Sequence, residues 1–154
     1  MIEFERYKNV DELDDTSKLL INEANKALSS SYSPYSGFTV GTAVLLDNGE
    51  IIHGANQENA AYPAGLCAER VALFQVGSRF PENQIIALAV IAKRRNEEDL
   101  KGAGPCGMCR QVMLEFEQKQ KSPYTVLFKE ENGDWIKTKS ANTLLPFSFG
   151  RDNL

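Results

Sequence analysis

Along positions 11–30 the apolar residues Leu13, Leu20, Ala24, Ala27 and Leu28 recur at spacings of seven, four and three. That rhythm turns one face of a helix toward a core and leaves the intervening Asp, Glu, Lys and Asn side chains in water. The rhythm then changes. Ser31 to Gly37 is turn chemistry, and Phe38-Thr39-Val40-Gly41-Thr42-Ala43-Val44-Leu45-Leu46 is rich in β-forming residues. Asp47-Asn48-Gly49, a hairpin signal, separates that strand from a second one over residues 50–54.

A polar loop follows over residues 55–66, carrying Asn56, Glu58, Asn59, Pro63 and Gly65. The pattern predicts a helix from near Cys67 and a buried strand over the apolar run Ile85 to Ala92. That run is far short of the ~20 residues a helix needs to cross a bilayer. Gly104-Pro105-Cys106 opens a third helix that continues through Val112, Met113 and Phe116, with Pro where a first helical turn accepts it. Tyr124 to Phe128 and Trp135 to Thr138 read as strands about the Asn132-Gly133 turn, and the tail from Leu144 to Gly150 is apolar without a clear period. Strand and helix alternate after the opening hairpin, which predicts one α/β domain over residues 1–154: three α/β/α layers around a mixed five-stranded sheet.

Composition narrows the function. The chain has 154 residues, 42% hydrophobic and 25% charged, enough for a full core without disulfides. A net charge of -4 argues against a nucleic-acid polymer as partner, because such binding rests on neutralising phosphates. The basic cluster Lys93-Arg94-Arg95 is followed by Glu97, Glu98 and Asp99 and reads as a solvated loop. No membrane segment is read, and Met1-Ile2-Glu3-Phe4-Glu5-Arg6 lacks the apolar stretch of a secretory signal, so a cytoplasmic location is expected. In that reducing setting three cysteines, which cannot all pair within one chain, point to metal binding or catalysis.

All three cysteines fall at predicted helix starts: Cys67 at one, Cys106 and Cys109 at another. A helix N-terminus carries roughly half a positive charge and favours the thiolate, the form that binds zinc. Three protein ligands would leave the fourth tetrahedral position open, as catalytic zinc sites do. Three thiolates also bring excess negative charge, which Arg70 is placed to offset. Glu69 lies two residues beyond Cys67, where it can reach over the open position and transfer protons.

Cys67-Ala68-Glu69 followed by Pro105-Cys106-Gly107-Met108-Cys109 matches the zinc nucleobase deaminase signature, with cysteine as the first ligand. With Phe38-Thr39-Val40-Gly41, Asn56-Gln57-Glu58-Asn59-Ala60, Arg110-Gln111, Leu144-Leu145-Pro146 and Ser148-Phe149, the chain resembles the free-nucleoside cytidine deaminases over about residues 30–150. The resemblance implies one zinc ion per chain on Cys67, Cys106 and Cys109, with Glu69 shuttling protons. It further implies that Asn56 and Glu58 bind the ribose hydroxyls and that Phe38 lines the pocket. The Ala68 backbone would read the pyrimidine edge, and Phe149 would pack on the base bound by a neighbouring subunit. The activity implied is hydrolytic deamination of cytidine and deoxycytidine in pyrimidine salvage, by a homotetramer with shared active sites. Two positions depart from the pattern: Met108, where a small residue is common, and Gln57, where an apolar one is usual.

Other readings compete. A thioredoxin-like C-x-x-C explains neither Cys67 nor Glu69. A closed structural zinc site would need a fourth ligand, for which His53 is the candidate. Deaminases of other small aminated bases, including antibiotics of the blasticidin type, share the zinc chemistry, and the Asn56 and Glu58 pair is what argues for a ribose. Polynucleotide editing would need a basic, aromatic-studded groove.

Overall fold

A computed structural model describes residues 2–154. Its strands are β1 (Glu5–Tyr7), β2 (Phe38–Leu46), β3 (Ile51–Ala55), β4 (Ile85–Arg94), β5 (Thr125–Lys129) and β6 (Trp135–Thr138), and its longer helices are α1 (Asp15–Ala27), α2 (Ala68–Arg79) and α3 (Gly107–Gln120). The strands form one sheet in the order β1-β6-β5-β4-β2-β3. Only β4 and β5 run parallel; all other neighbours are antiparallel. The sheet is mixed, as expected, but has six strands rather than five.

The additional strand is β1, whose Glu-Arg-Tyr sequence has no apolar alternation of its own. Pairing makes it a strand: it lies antiparallel on β6, and Arg6 and Lys8 both bind Asp134 at about 3 Å in the turn before β6. β4 also runs two residues beyond its apolar core, because Lys93 and Arg94 go on pairing with Thr39 and Phe38.

Two cores sit on the two faces of the sheet. On one, Leu20, Ile21 and Ala24 of α1 pack over Ala43, Ala87, Ala89, Ile91, Leu127 and Trp135. On the other, Ala72, Leu73 and Val76 of α2 and Met113 of α3 pack over Val44, Leu88, Val90, Val126 and Ile136. Alternate strand residues thus feed opposite layers, as the pleat requires. Two glycines set how closely the helices approach. A Cβ at Gly41 would lie 2.1 Å from the Ala24 carbonyl oxygen of α1. At Gly54 it would lie 2.3 Å from the carbonyl oxygen of Ala68 and 2.6 Å from the Ala72 nitrogen. The second contact matters for function, since it seats the first turn of α2 directly on β3.

Candidate active site

Cys67 and Cys106 are the N-cap residues of α2 and α3, in extended conformations with ψ of 154° and 164°. Neither side chain caps its helix, so each thiol is free to point away from the backbone at the positive end of a helix dipole. Cys109 follows in the first turn of α3 and is wholly buried. The two helix starts converge at the same edge of the α2/α3 layer. Cys67 Sγ lies 3.8 Å from Cys106 Sγ, Cys106 Sγ lies 3.5 Å from Cys109 Sγ, and all three sulfurs fall within 4.8 Å of one another.

A tetrahedral ion with Zn–S bonds of ~2.3 Å would set its sulfurs about 3.8 Å apart, so the three thiols fit zinc. The donor set fits as well, since soft thiolates suit that metal. Nη2 of Arg70 lies 3.9 Å from Cys67 Sγ, while its Nε is buried with no hydrogen-bond partner. The guanidinium therefore supplies positive charge beside the sulfur cluster. The Cys67 thiol is lowered to about 5 by the adjoining Cys109 thiol and by Arg70, and Cys109 is raised in turn by Cys67 and by burial.

Glu69 stands on the inward stripe of α2 that continues through Ala72, Leu73 and Val76, and only 4% of its surface is exposed. A carboxyl group occupies a place where the helix would otherwise bury a hydrocarbon. Burial raises it to about 7, with the neighbouring Cys67 charge adding to the effect.

A cavity of about 620 Å³ opens over this cluster, within the range of small-molecule sites. Cys67, Glu69, Arg70 and Cys106 line it, together with Phe38, Asn56 and Glu58. Asn56 follows β3 and is tied to the start of β2. Its Oδ1 accepts from Ser31 Oγ (2.5 Å) and the Val40 amide (2.9 Å), and its Nδ2 donates to the Phe38 carbonyl (2.9 Å). One amide hydrogen is left over. Glu58 accepts from the amides of Tyr35 (2.9 Å) and Ser36 (3.3 Å) and from the Ser36 hydroxyl. The Ser36 hydroxyl is the main reason its carboxyl lies below the usual range. Three of the ~four lone-pair sites of that carboxylate are thereby taken, and one remains free.

Ala68 is fully buried as the first residue of α2, against Gly54. Phe149 is not brought to the cavity: it is 60% exposed on the C-terminal segment, whose Phe149 carbonyl accepts from Gln111 Nε2 at 2.9 Å. His53 stands apart from the thiols, exposed on β3 with its Nε2 2.8 Å from Glu23 Oε2, which leaves the sulfur cluster without a fourth ligand from that residue. Met108 and Gln57 are both exposed, so neither departure from the family pattern disturbs packing. Tyr35 and Tyr62, which sequence reasoning did not single out, line the same cavity and meet edge to face with ring centroids 6.3 Å apart. Their signal in the sequence is an aromatic beside Pro34 and another beside Pro63, in loops where apolar rings have no core to enter.

A family model described as the cytidine and deoxycytidylate deaminase zinc-binding region matches residues 14–124. Cytidine deaminase of Halalkalibacterium halodurans is 38% identical over 137 residues, covering 89% of this chain and 96% of its own. That of Sporosarcina psychrophila is 42% identical over 136 residues, covering 88% and 92%. The crystal structure of cytidine deaminase from Burkholderia pseudomallei matches with a TM-score of 0.70 at 37% identity, covering 86% of this chain and 98% of that one. Among the described residues no helix is long and apolar enough to cross a membrane. By the sequence of its zinc-binding region, its fold and its three converging thiols, the chain belongs to the cytidine deaminase family.

Proposed function

We propose that this protein deaminates cytidine, and deoxycytidine by the same route, exchanging the ring amine for oxygen from water to give uridine or deoxyuridine and ammonia. The observation that carries the reading is that one cavity is lined both by Cys67, Cys106 and buried Glu69 and by Asn56 and Glu58, with Cys109 completing the thiol cluster. The naming of its relatives as cytidine deaminases supports it.

Cys67, Cys106 and Cys109 would hold zinc. Bound there, the metal supplies a Lewis acid that makes water nucleophilic near neutral pH. Glu69, fixed beside the thiols by the inward stripe of α2, moves a proton to ring nitrogen 3 and another to the departing amine. The amide of Ala68, between Cys67 and Glu69 in the first turn of α2, would read the pyrimidine carbonyl edge, the residue itself being buried and not part of the cavity wall. The remaining Asn56 amide hydrogen and the free Glu58 lone pair are complementary to ribose hydroxyls, one accepting and the other donating. Phe38 gives the sugar and base an apolar wall. Arg70 offsets the charge of the thiolates.

Phe149 projects from this chain and serves a base bound to a neighbouring subunit, so the working form is a homotetramer with shared sites. The setting is pyrimidine salvage in the cytoplasm. The reading is tested by following the ultraviolet absorbance of cytidine, and separately of free cytosine, with protein of known zinc content. Loss of the cytidine band with ammonia release, at about one zinc per chain and with cytosine spared, is the expected result. Turnover of cytosine as fast as cytidine would overturn the ribose assignment, and no turnover of either would overturn the activity.

A further inference from the structure

The C-terminal segment is fastened to α3 along the whole length of that helix. Near its end, Glu117 is buried and accepts from the amides of Ala141 (2.6 Å) and Asn142 (3.3 Å) and from Ser140 Oγ (2.5 Å). Gln118 Oε1 accepts from the Arg151 amide at 3.0 Å. At the other end of α3 stands Arg110, half-buried and one residue past Cys109. Its Nε donates to the Pro105 carbonyl at 2.7 Å and its Nη1 to the Leu144 carbonyl at 3.2 Å.

These two carbonyls belong to segments 39 residues apart in sequence, since 144 minus 105 is 39. Pro105 immediately precedes Cys106, and the Cys106 carbonyl in turn accepts from the Arg110 amide at 2.9 Å. The side chain of Arg110 thus closes a loop around the first turn of α3, gripping the peptide unit that enters the Cys106 thiol. The same guanidinium anchors the start of the segment that carries Phe147, fully exposed with a φ of 57°, and Phe149. A guanidinium suits this task because its N–H groups diverge in a fixed plane and can meet two carbonyls at once. A lysine ammonium in the same place is a point donor on a flexible stem.

We propose that Arg110 is a positioning residue for the metal site: by bridging the Pro105 and Leu144 carbonyls it fixes the backbone that presents Cys106 and couples that backbone to the C-terminal segment. The proposal rests on the assignment of zinc to the three cysteines. Partners that orient metal ligands typically contribute roughly 10–100-fold to metal retention or activity, and an effect of that size is expected here.

The test is the rate at which zinc passes from the loaded protein to a coloured chelator, measured for wild type, Arg110→Ala, Arg110→Lys and Gln118→Ala. The rise in melting temperature on adding zinc to the stripped proteins is recorded beside it. Zinc release about 10-fold or more faster in Arg110→Ala, an intermediate rate in Arg110→Lys and wild-type behaviour in Gln118→Ala support the proposal, provided the zinc-induced rise in melting temperature shrinks in the same order. A merely structural arginine would lower the melting temperatures of stripped and loaded forms equally and leave the release rate unchanged, which would overturn it. Arg110→Lys releasing zinc like wild type would overturn the two-carbonyl bridge, and that variant serves alone if Arg110→Ala fails to fold. Cys106→Ala separates the underlying assignment: if it retains zinc, the ligand set is wrong, whatever Arg110 does.

Discussion

Two kinds of helix start stand side by side in this molecule. α1 begins conventionally: Asp14 is its N-cap, and its carboxylate accepts from the Ser17 amide at 2.9 Å and pairs with Lys137. α2 and α3 begin on cysteines that make no cap bond. Aspartate is among the best N-cap residues because it satisfies one of the four otherwise unpaired amides of a first turn. At α2 and α3 that stabilisation is forgone, and the two positive helix ends are turned toward one cluster of sulfur. The helix outside the thiol cluster starts on a stabilising cap bond, and the two whose N-caps belong to the cluster do not.

The comparison is broken most severely at Cys67. Cys67→Ser places a good capping residue at the start of α2, so the zinc-free protein should be as stable as wild type or up to about 1 kcal/mol more stable. The same variant should lose its zinc and its turnover. Metal analysis and denaturant titration of the stripped proteins check both halves.

A smaller effect is expected at Phe149. Phe149→Ala should keep zinc and raise KM more than it lowers kcat, in protein whose oligomeric state has been verified. Unchanged KM would remove the role assigned to that ring. Smaller again for function is Asp14→Ala, which should cost about 1 kcal/mol of stability and leave turnover per folded chain as it was.

The pH dependence of that last pair sharpens the contrast. Burial alone would push Asp14 up, but hydrogen bonds from Lys137 and Ser17 outweigh it and hold the carboxyl at about 2. A carboxyl with a folded-state pKa below its unfolded value of ~3.9 stabilises the fold above that value and loses the effect as pH falls through the folded one. The stability gap between wild type and Asp14→Ala should therefore be constant above about pH 5 and close on acidification toward pH ~2. Urea titrations at stepped pH would show it.

Local signals made most of this legible. The hairpin β2–β3 follows from β-forming residues around Asp47-Asn48-Gly49, and the starts of α2 and α3 from the change of period at Cys67 and Cys106. The start of α1 was less sharp, because the apolar rhythm runs through Leu13 while the helix waits for the cap at Asp14. β1 was invisible: its stability comes from residues more than a hundred positions away. In the site, spacing alone brought Cys67, Glu69, Cys106 and Cys109 to attention. What no local pattern could show is that Asn56 and Glu58 are each held by the turn before β2, or that Arg110 spans two distant carbonyls. Those are contacts between segments, and they exist only once the sheet has assembled.

The account stands most directly on Glu69, an acid buried where a hydrocarbon is expected. Cytidine turnover and zinc content should be measured together for wild type and Glu69→Gln. The account predicts about one zinc per chain in both and a fall in kcat on the order of 10²–10⁴ in the variant, the usual worth of a positioned proton carrier. A variant that keeps its zinc and turns over cytidine at the wild-type rate would contradict it.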